Sequence, residues 1–271
     1  MSVRVALADG IAALTGVSDT ARLDAELLMA HALGVDRGAM LIDPDRHAVP
    51  PDFAAMVARR KAHEPIAYII GYRDFWTIRL SIGPGALIPR PDSETLIEAA
   101  LAHFGETGPR TILDLGTGPG TLLLAALDQW PQARGVGIDA SEVALGYAEC
   151  NAVATRVSGR ATFARGGWAD GGQADLLLCN PPYIKSNQML MPDIMRYEPH
   201  QALFAGEDGL SDYRSLAPLL RGHLTDTGIA IVEIGHDQRA AVTALLLDRG
   251  FDVTCHRDLG GRDRALACRM Q

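Results

Sequence analysis

Through the first 64 residues apolar positions recur at helical spacing and never settle into strict alternation. The stretch "SDTARLDAELLMAHALG" (18–34) predicts a helix that opens with a cap at Ser18 or Asp19 and stops at Gly34. "PPDFAAMVARRKAHEP" (50–65) predicts a second, begun and ended by prolines. The texture then changes. "YRDFWTIRLSIGPGALIPR" (72–90) is rich in aromatic and β-branched residues, which predicts a β-hairpin around the turn Gly83-Pro84-Gly85. "PDSETLIEAALAHF" (91–104) starts with capping residues and predicts a helix.

From residue 110 short apolar runs alternate with helical patterns: strand "TILDLG", helix "TLLLAALDQW", strand "RGVGID", helix "SEVALGYAECNAV", a strand near "ATFARG", then strand "ADLLLCN". After an irregular stretch come helix "LSDYRSLAPLLRGHL", strand "GIAIVEIG", helix "HDQRAAVTALLLDRG" and two closing strands, "FDVTCHRD" and "RALACRM". Strands alternating with helices of this length imply an α/β fold, a doubly wound and mostly parallel sheet. Seven strands are expected. The closing pair has no helix between its members, so the last strand is expected to run antiparallel. The expected organisation is a small all-helical N-terminal domain (1–74), a β-hairpin linker (75–90) and the α/β domain (91–271).

Length and charge narrow the function classes. A chain of 271 residues with 48% hydrophobic positions has ample material for one large domain and a small one. No apolar run approaches the ~18–20 residues of a membrane span, and "MSVRVALADG" lacks the features of a secretory signal, so a cytoplasmic protein without a membrane partner is expected. The net charge of −8 runs against a protein that grips long nucleic acid by neutralising phosphates. The one basic cluster, Arg59, Arg60, Lys61 and His63, reads as a solvated helix face. Cys150, Cys179, Cys255 and Cys268 have neither CxxC nor metal-ligand spacing. Cys255 and Cys268 could face each other across the closing hairpin, but a cytosolic setting argues for free thiols.

Two segments carry candidate chemistry. "DLGTGPG" (114–120) joins the first strand of the sheet to the first helix, where open α/β sheets bind ligands. It is neither a dinucleotide fingerprint, since Thr121 stands where Gly or Ala is wanted, nor a P-loop, since Gly-Lys-Ser/Thr is missing. Asp139 closes the second strand, where a carboxylate can accept from both ribose hydroxyls of an adenosyl group; a helix cap is the alternative role. The second segment is "LLLCNPPYIKS" (176–186), an apolar strand that ends abruptly in Asn180-Pro181-Pro182-Tyr183. An amide or exocyclic amino nitrogen is a poor nucleophile. The Asn180 side-chain oxygen and the Pro181 carbonyl can accept its two hydrogens and fix it for in-line attack. The prolines stiffen the segment and add no competing donors, and Tyr183 can stack on a planar amide or base.

A phosphate-free nucleoside site, a GxGxG loop and a terminal hairpin together resemble the class I S-adenosylmethionine-dependent methyltransferase fold. "LIPRPDSETLIE", "MRYEPHQALFAGEDGLSDY", "VEIGHDQ" and "DLGGRDRALA" further resemble the peptide chain release factor glutamine methyltransferases over nearly the whole chain. The resemblance implies S-adenosyl-L-methionine as methyl donor and S-adenosyl-L-homocysteine as product. It implies, as substrate, the glutamine of the Gly-Gly-Gln motif in class 1 release factors, with the helical domain recognising that partner, and a monomer that binds no nucleic acid directly. By motif, Gly116, Thr117, Gly118, Pro119, Gly120, Asp139 and Trp168 would hold the donor with Asn180, and Asn180 to Tyr183 the glutamine. The family usually has an acidic residue before that tryptophan, whereas this chain has Gly167. Glu198 and His200 are expected to order their loop, His236 to bind no metal, and the chain's own Gly171-Gly172-Gln173 to be a flexible turn. Alternatives are a ribosomal-protein glutamine methyltransferase, a nucleic-acid adenine N6-methyltransferase and a non-catalytic adenosyl-binding protein.

Overall fold

A computed structural model describes residues 2–271, which form two compact units. The first runs through Tyr72 and also takes in Leu190–Tyr197. It contains α1 (Val3–Leu14), α2 (Ala21–Leu33), α3 (Arg37–Ile42), α4 (Phe53–Lys61) and α5 (Ile66–Ile70). Val3, Leu14, Leu28, Met29 and Met40 are fully buried in its core, and Gly34 ends α2 in the left-handed conformation that glycine accepts without strain.

Two expectations for this unit need correction. The residue capping α2 is Thr20, because the hydroxyls of Ser18 and Thr20 both donate to Asp24 instead (2.7 and 2.9 Å). Arg60 is not solvated. It is buried, donates to Asp24 at 2.7 Å and lies 3.6 Å from Asp193, while its neighbour Arg59 pairs with Glu64. A buried guanidinium needs such partners.

The second unit spans Arg73–Met189 and Glu198–Gln271. The hairpin pairs β1 (Tyr72–Phe75) with β2 (Ile78–Ser81), so the chain turns at Trp76-Thr77 and the Gly-Pro-Gly lies beyond the second strand. Trp76 holds the left-handed φ of 52° that glycine would have supplied. Tertiary bonds fix it there: its N–H donates to Glu94 (2.9 Å) and its indole N–H to Gln129 (3.2 Å). Phe75, Ile78 and Leu80 enter the core of the second unit.

After α6 (Glu94–Phe104) follow β3 (Thr111–Leu115), α7 (Thr121–Gln129), β4 (Arg134–Asp139), α8 (Glu142–Ala154), β5 (Ala161–Arg165) and β6 (Ala174–Cys179). The remainder comprises α9 (Pro192–Tyr197, in the first unit), α10 (Ser211–Leu216), β7 (Leu224–Glu233), α11 (Arg239–Leu247), β8 (Phe251–Arg257) and β9 (Asp263–Met270). The seven-stranded sheet has the order β5-β4-β3-β6-β7-β9-β8, parallel from β5 to β7. The last strand, β9, is antiparallel to both neighbours, as expected. Helices cover both faces, and the central strands are buried on each, which explains their unbroken apolar runs. Cys268 faces Val253 rather than Cys255, and all four cysteines are free thiols.

The chain winds outward from β3 through β4 to β5, then returns to β6 on the other side. The crevice at this reversal, above the carboxyl ends of β3, β4 and β6, is where such sheets take ligands.

Candidate active site

The glycine loop leaves β3 at Gly116. Its N–H and that of Thr117 both donate to the Ile138 carbonyl (2.8 and 3.0 Å), that of Gly118 to Asp139 Oδ2 (2.8 Å), and that of Gly120 to the Thr117 carbonyl (3.0 Å). With Pro119 having no N–H, every donor from Gly116 to Gly120 is used inside the protein. Such a loop has no nest of free amides for a phosphate. It offers carbonyls and bare Cα surface. The position of a Cβ on Gly118 has no atom within 4 Å, and one on Gly116 would stand 3.3 Å from the Trp168 ring.

Asp139 accepts from Gly118 through Oδ2 and from the Ser141 N–H through Oδ1, each at 2.8 Å. Ser141, not Asp139, caps α8. Asp114 is buried beneath the loop, where its Oδ2 accepts from the Thr117 hydroxyl (2.6 Å) and the Leu123 N–H (3.2 Å) while Oδ1 has no partner. Burial lifts its carboxyl to about 7, and the nearby Asp139 adds to the rise. Asn151, fully buried on α8, receives the Ser81 N–H (2.7 Å) and donates to the carbonyls of Ser81 (3.1 Å) and Pro119 (2.9 Å), so it ties hairpin to loop.

At the end of β6 the half-buried Asn180 donates its Nδ2 to the Ser93 hydroxyl at 3.3 Å. Its Oδ1 is left for the crevice. Pro181 is buried and Pro182 half-buried. Tyr183 donates its hydroxyl to Glu233 Oε1 (3.3 Å), and burial pushes its ionisation well above the usual phenol value. Opposite, Glu198 accepts from the Ile88 N–H (3.1 Å) and from Arg90 (2.5 Å), buckling the 199–202 segment onto the stretch before α6.

These elements enclose a cavity of about 330 Å³. Gly116, Thr117, Gly118, Pro119, Asp139, Trp168, Asn180 and Pro182 line it, and so does Gly167. Gly120, Pro181 and Tyr183 do not. Gly120 turns the chain into α7 with φ of 84°, and Tyr183 points to Glu233. The position of Arg90, Ser93, Gln201 and Asp212 on the wall was not foreseen, although Arg90 and Ser93 sit in the "LIPRPDSE" segment that carries the resemblance. Gly171 to Gln173 precede β6 whereas Asn180 follows it, so a six-residue strand, about 20 Å of chain, separates the two.

A carboxylate at the rim, an indole beside the glycine loop and no free amide nest fit a nucleoside without phosphates. Residues 6–71 match the PrmC N-terminal domain, and residues 93–199 the methyltransferase small domain. The release factor glutamine methyltransferase of Rhodospirillum rubrum is 43% identical over 258 residues, covering 92% of this chain and 79% of that one. That of Caulobacter vibrioides is 39% identical over 257 residues, covering 92% and 89%. The chain belongs to the release factor glutamine methyltransferase family. Among solved structures, a methyltransferase from Pyrococcus furiosus superposes with a TM-score of 0.54 at 16% identity, covering 79% of this chain and 96% of that one, which speaks for the shared fold. The cavity lies at the ends of β3, β4 and β6, where open α/β sheets take ligands.

Proposed function

We propose that this protein methylates the side-chain amide nitrogen of the glutamine in the Gly-Gly-Gln motif of class 1 peptide chain release factors, using S-adenosyl-L-methionine as donor. The observation that carries the reading is the orientation of Asn180. Its amino group is committed to Ser93, so the group left facing the cavity is a carbonyl, an acceptor suited to an amide N–H.

When bound, the donor supplies an electrophilic methyl on a sulfonium and leaves as S-adenosyl-L-homocysteine. Gly116 to Pro119 would carry it on backbone surface while Gly120 turns the loop into α7, Asp139 would accept from its ribose, and Trp168 would flank its adenine. With Gly167 where the resemblance implies an acid, and nothing within 4 Å of its Cβ position, the adenine would rest on packing and backbone. Asn180 Oδ1 and the Pro181 carbonyl would each take one amide hydrogen, which holds the nitrogen in line and favours the charge it gains as the new N–C bond forms. The nitrogen acidifies in that step and then loses its proton, so no strong base is required. The helical unit would hold the release factor. A monomer acting in the cytoplasm fits this reading.

Incubation with a class 1 release factor and the donor, followed by mass spectrometry, should place one methyl group on the glutamine. Asn180→Ala removes one of two acceptors that act mainly in the transition state, and single-turnover rates should fall about 100- to 1000-fold, as on loss of one oxyanion-hole donor. A near-normal rate would reduce the Asn-Pro-Pro-Tyr segment to a turn.

A further inference from the structure

The loop between β5 and β6, residues 166–173, bears the indole on the cavity wall, yet its own sequence gives it little means of holding that ring still. Gly166, Gly167, Gly171 and Gly172 make up half of it, and Gly171 and Gly172 take left-handed φ of 109° and 78°. Residues 169–173 are exposed. Inside the loop the Gly167 N–H donates to Asp170 Oδ2 (2.8 Å) and the Asp170 N–H to the Gly167 carbonyl (3.2 Å), and at its start the Gly166 N–H donates to the Asp139 carbonyl (3.0 Å). Bonds of an exposed, glycine-rich turn open readily. Trp168 nevertheless lies against Gly116, where a Cβ would stand 3.3 Å from its ring.

His223 supplies the missing hold. It is 5% exposed and ends the 3₁₀ turn Leu220–His223, directly ahead of β7. Both of its ring nitrogens meet backbone carbonyls of the loop: Nε2 lies 2.8 Å from that of Trp168 and Nδ1 3.0 Å from that of Gly172. A carbonyl only accepts, so each contact is a hydrogen bond when the facing nitrogen bears hydrogen, and a ring with hydrogen on both nitrogens donates to the two at once. One rigid, buried side chain thus closes the stretch from Trp168 to Gly172 and ties it to the neighbouring connection.

We propose that His223 is a positioning residue for the methyl donor: its clasp on the Trp168 and Gly172 carbonyls fixes the indole as a wall for the adenine before the donor arrives. This rests on the reading of the donor site given above. Because Gly167 has no side chain to offer the adenine, Trp168 is the side chain this loop gives to the cavity wall, beside the bare backbone of Gly166 and Gly167. An unclasped loop would have to be ordered by the donor itself, and that ordering weakens binding.

Calorimetric titration with S-adenosyl-L-homocysteine, alongside thermal melting, tests the clasp. His223→Leu should raise Kd about ten-fold, the equivalent of one net hydrogen bond, while single-turnover methylation at saturating donor stays within about two-fold. His223→Gln, whose NH2 can still donate to the Trp168 carbonyl, should stay within about three-fold of the unaltered Kd. In a Trp168→Ala background, His223→Leu should add almost nothing to Kd, although it should lower the melting temperature there too. A merely structural histidine would instead weaken donor binding equally with and without the indole. If the leucine variant does not fold, His223→Asn, whose shorter side chain cannot span both carbonyls, takes its place in the same comparison. Unchanged Kd on loss of the imidazole, or an equal loss in both backgrounds, overturns the proposal. If Trp168→Ala alone leaves Kd unchanged, the reading of the indole fails and the clasp with it; failure of the clasp alone leaves the Trp168→Ala effect intact.

Discussion

Replacing Asp139 by alanine separates two duties that the structure joins in one carboxylate. In the protein as it stands, Asp139 braces the glycine loop against the start of α8 through two bonds of 2.8 Å, to Gly118 and to Ser141. Under the proposed function its remaining lone pairs accept the ribose hydroxyls. Loss of the brace exposes two N–H groups at a half-buried rim where water can reach them, so the stability cost should stay near about 1–2 kcal/mol. Loss of a charged acceptor for the ribose should cost the donor about 1.5–3 kcal/mol, or roughly 10- to 150-fold in Kd. Asparagine should be no milder for stability, since its oxygen can serve only one of the two N–H groups and its own NH2 would face the other. Calorimetric titration with S-adenosylmethionine alongside thermal melting reads both duties. A lowered melting temperature with unchanged donor affinity would leave Asp139 as a brace and nothing more.

Asp114 and Glu233 bear on pH. Each is lifted to about 7 by burial, from ordinary values of 3.8 and 4.5, so the unfolded chain releases these protons first. Their contribution to stability is therefore complete below about pH 4 and lost as the pH rises to about 7, with a slope of up to ~1.4 kcal/mol per pH unit for each group. Melting curves of Asp114→Asn and Glu233→Gln, compared with the unaltered protein across that range, should show a shallower decline; parallel curves would contradict it. Asn151→Leu should destabilise the protein by several kcal/mol, at about 1–3 kcal/mol for each stranded partner, because Ser81 and the Pro119 carbonyl lose their bonds in a buried site. Chemical denaturation would register it, and a loss below 1 kcal/mol would show that water replaces the side chain.

What could be read from the sequence was local. The βα alternation after residue 110, the glycine loop and the abrupt end of β6 each announce themselves within a few residues, since periodicity and turn chemistry are short-range. The hairpin turn was misplaced because Gly-Pro-Gly is a strong turn signal, whereas the actual turn at Trp76 depends on Glu94 and Gln129, 18 and 53 residues away. Asn151, Ser93 and Glu233 were overlooked for the same reason. Their partners lie 32 to 87 residues off along the chain, and although Ser93 and Glu233 sit in segments that carry the resemblance, nothing in the local pattern of any of the three says what it bonds. Arg60 read as solvated because its neighbours are basic; only the fold brings Asp24 and Asp193 to it.

The return of Leu190–Tyr197 to the first unit sets an order of events on the ribosome. Residues 2–72 emerge with Arg60 able to reach Asp24, but Asp193 and the Tyr197 hydroxyl, which bonds the Ala62 carbonyl, do not yet exist. At roughly 5–20 residues per second, on the order of ten seconds pass while residues 73–189 are made. Through that interval the helical unit is an unfinished nascent cluster with a half-paired guanidinium. Asn180 to Tyr183 are translated before the segment that completes it. A chain stalled short of residue 190 would contain every helix of the N-terminal stretch and still lack a mature first unit, so ribosome-stalled lengths on either side of that point should differ sharply in protease resistance.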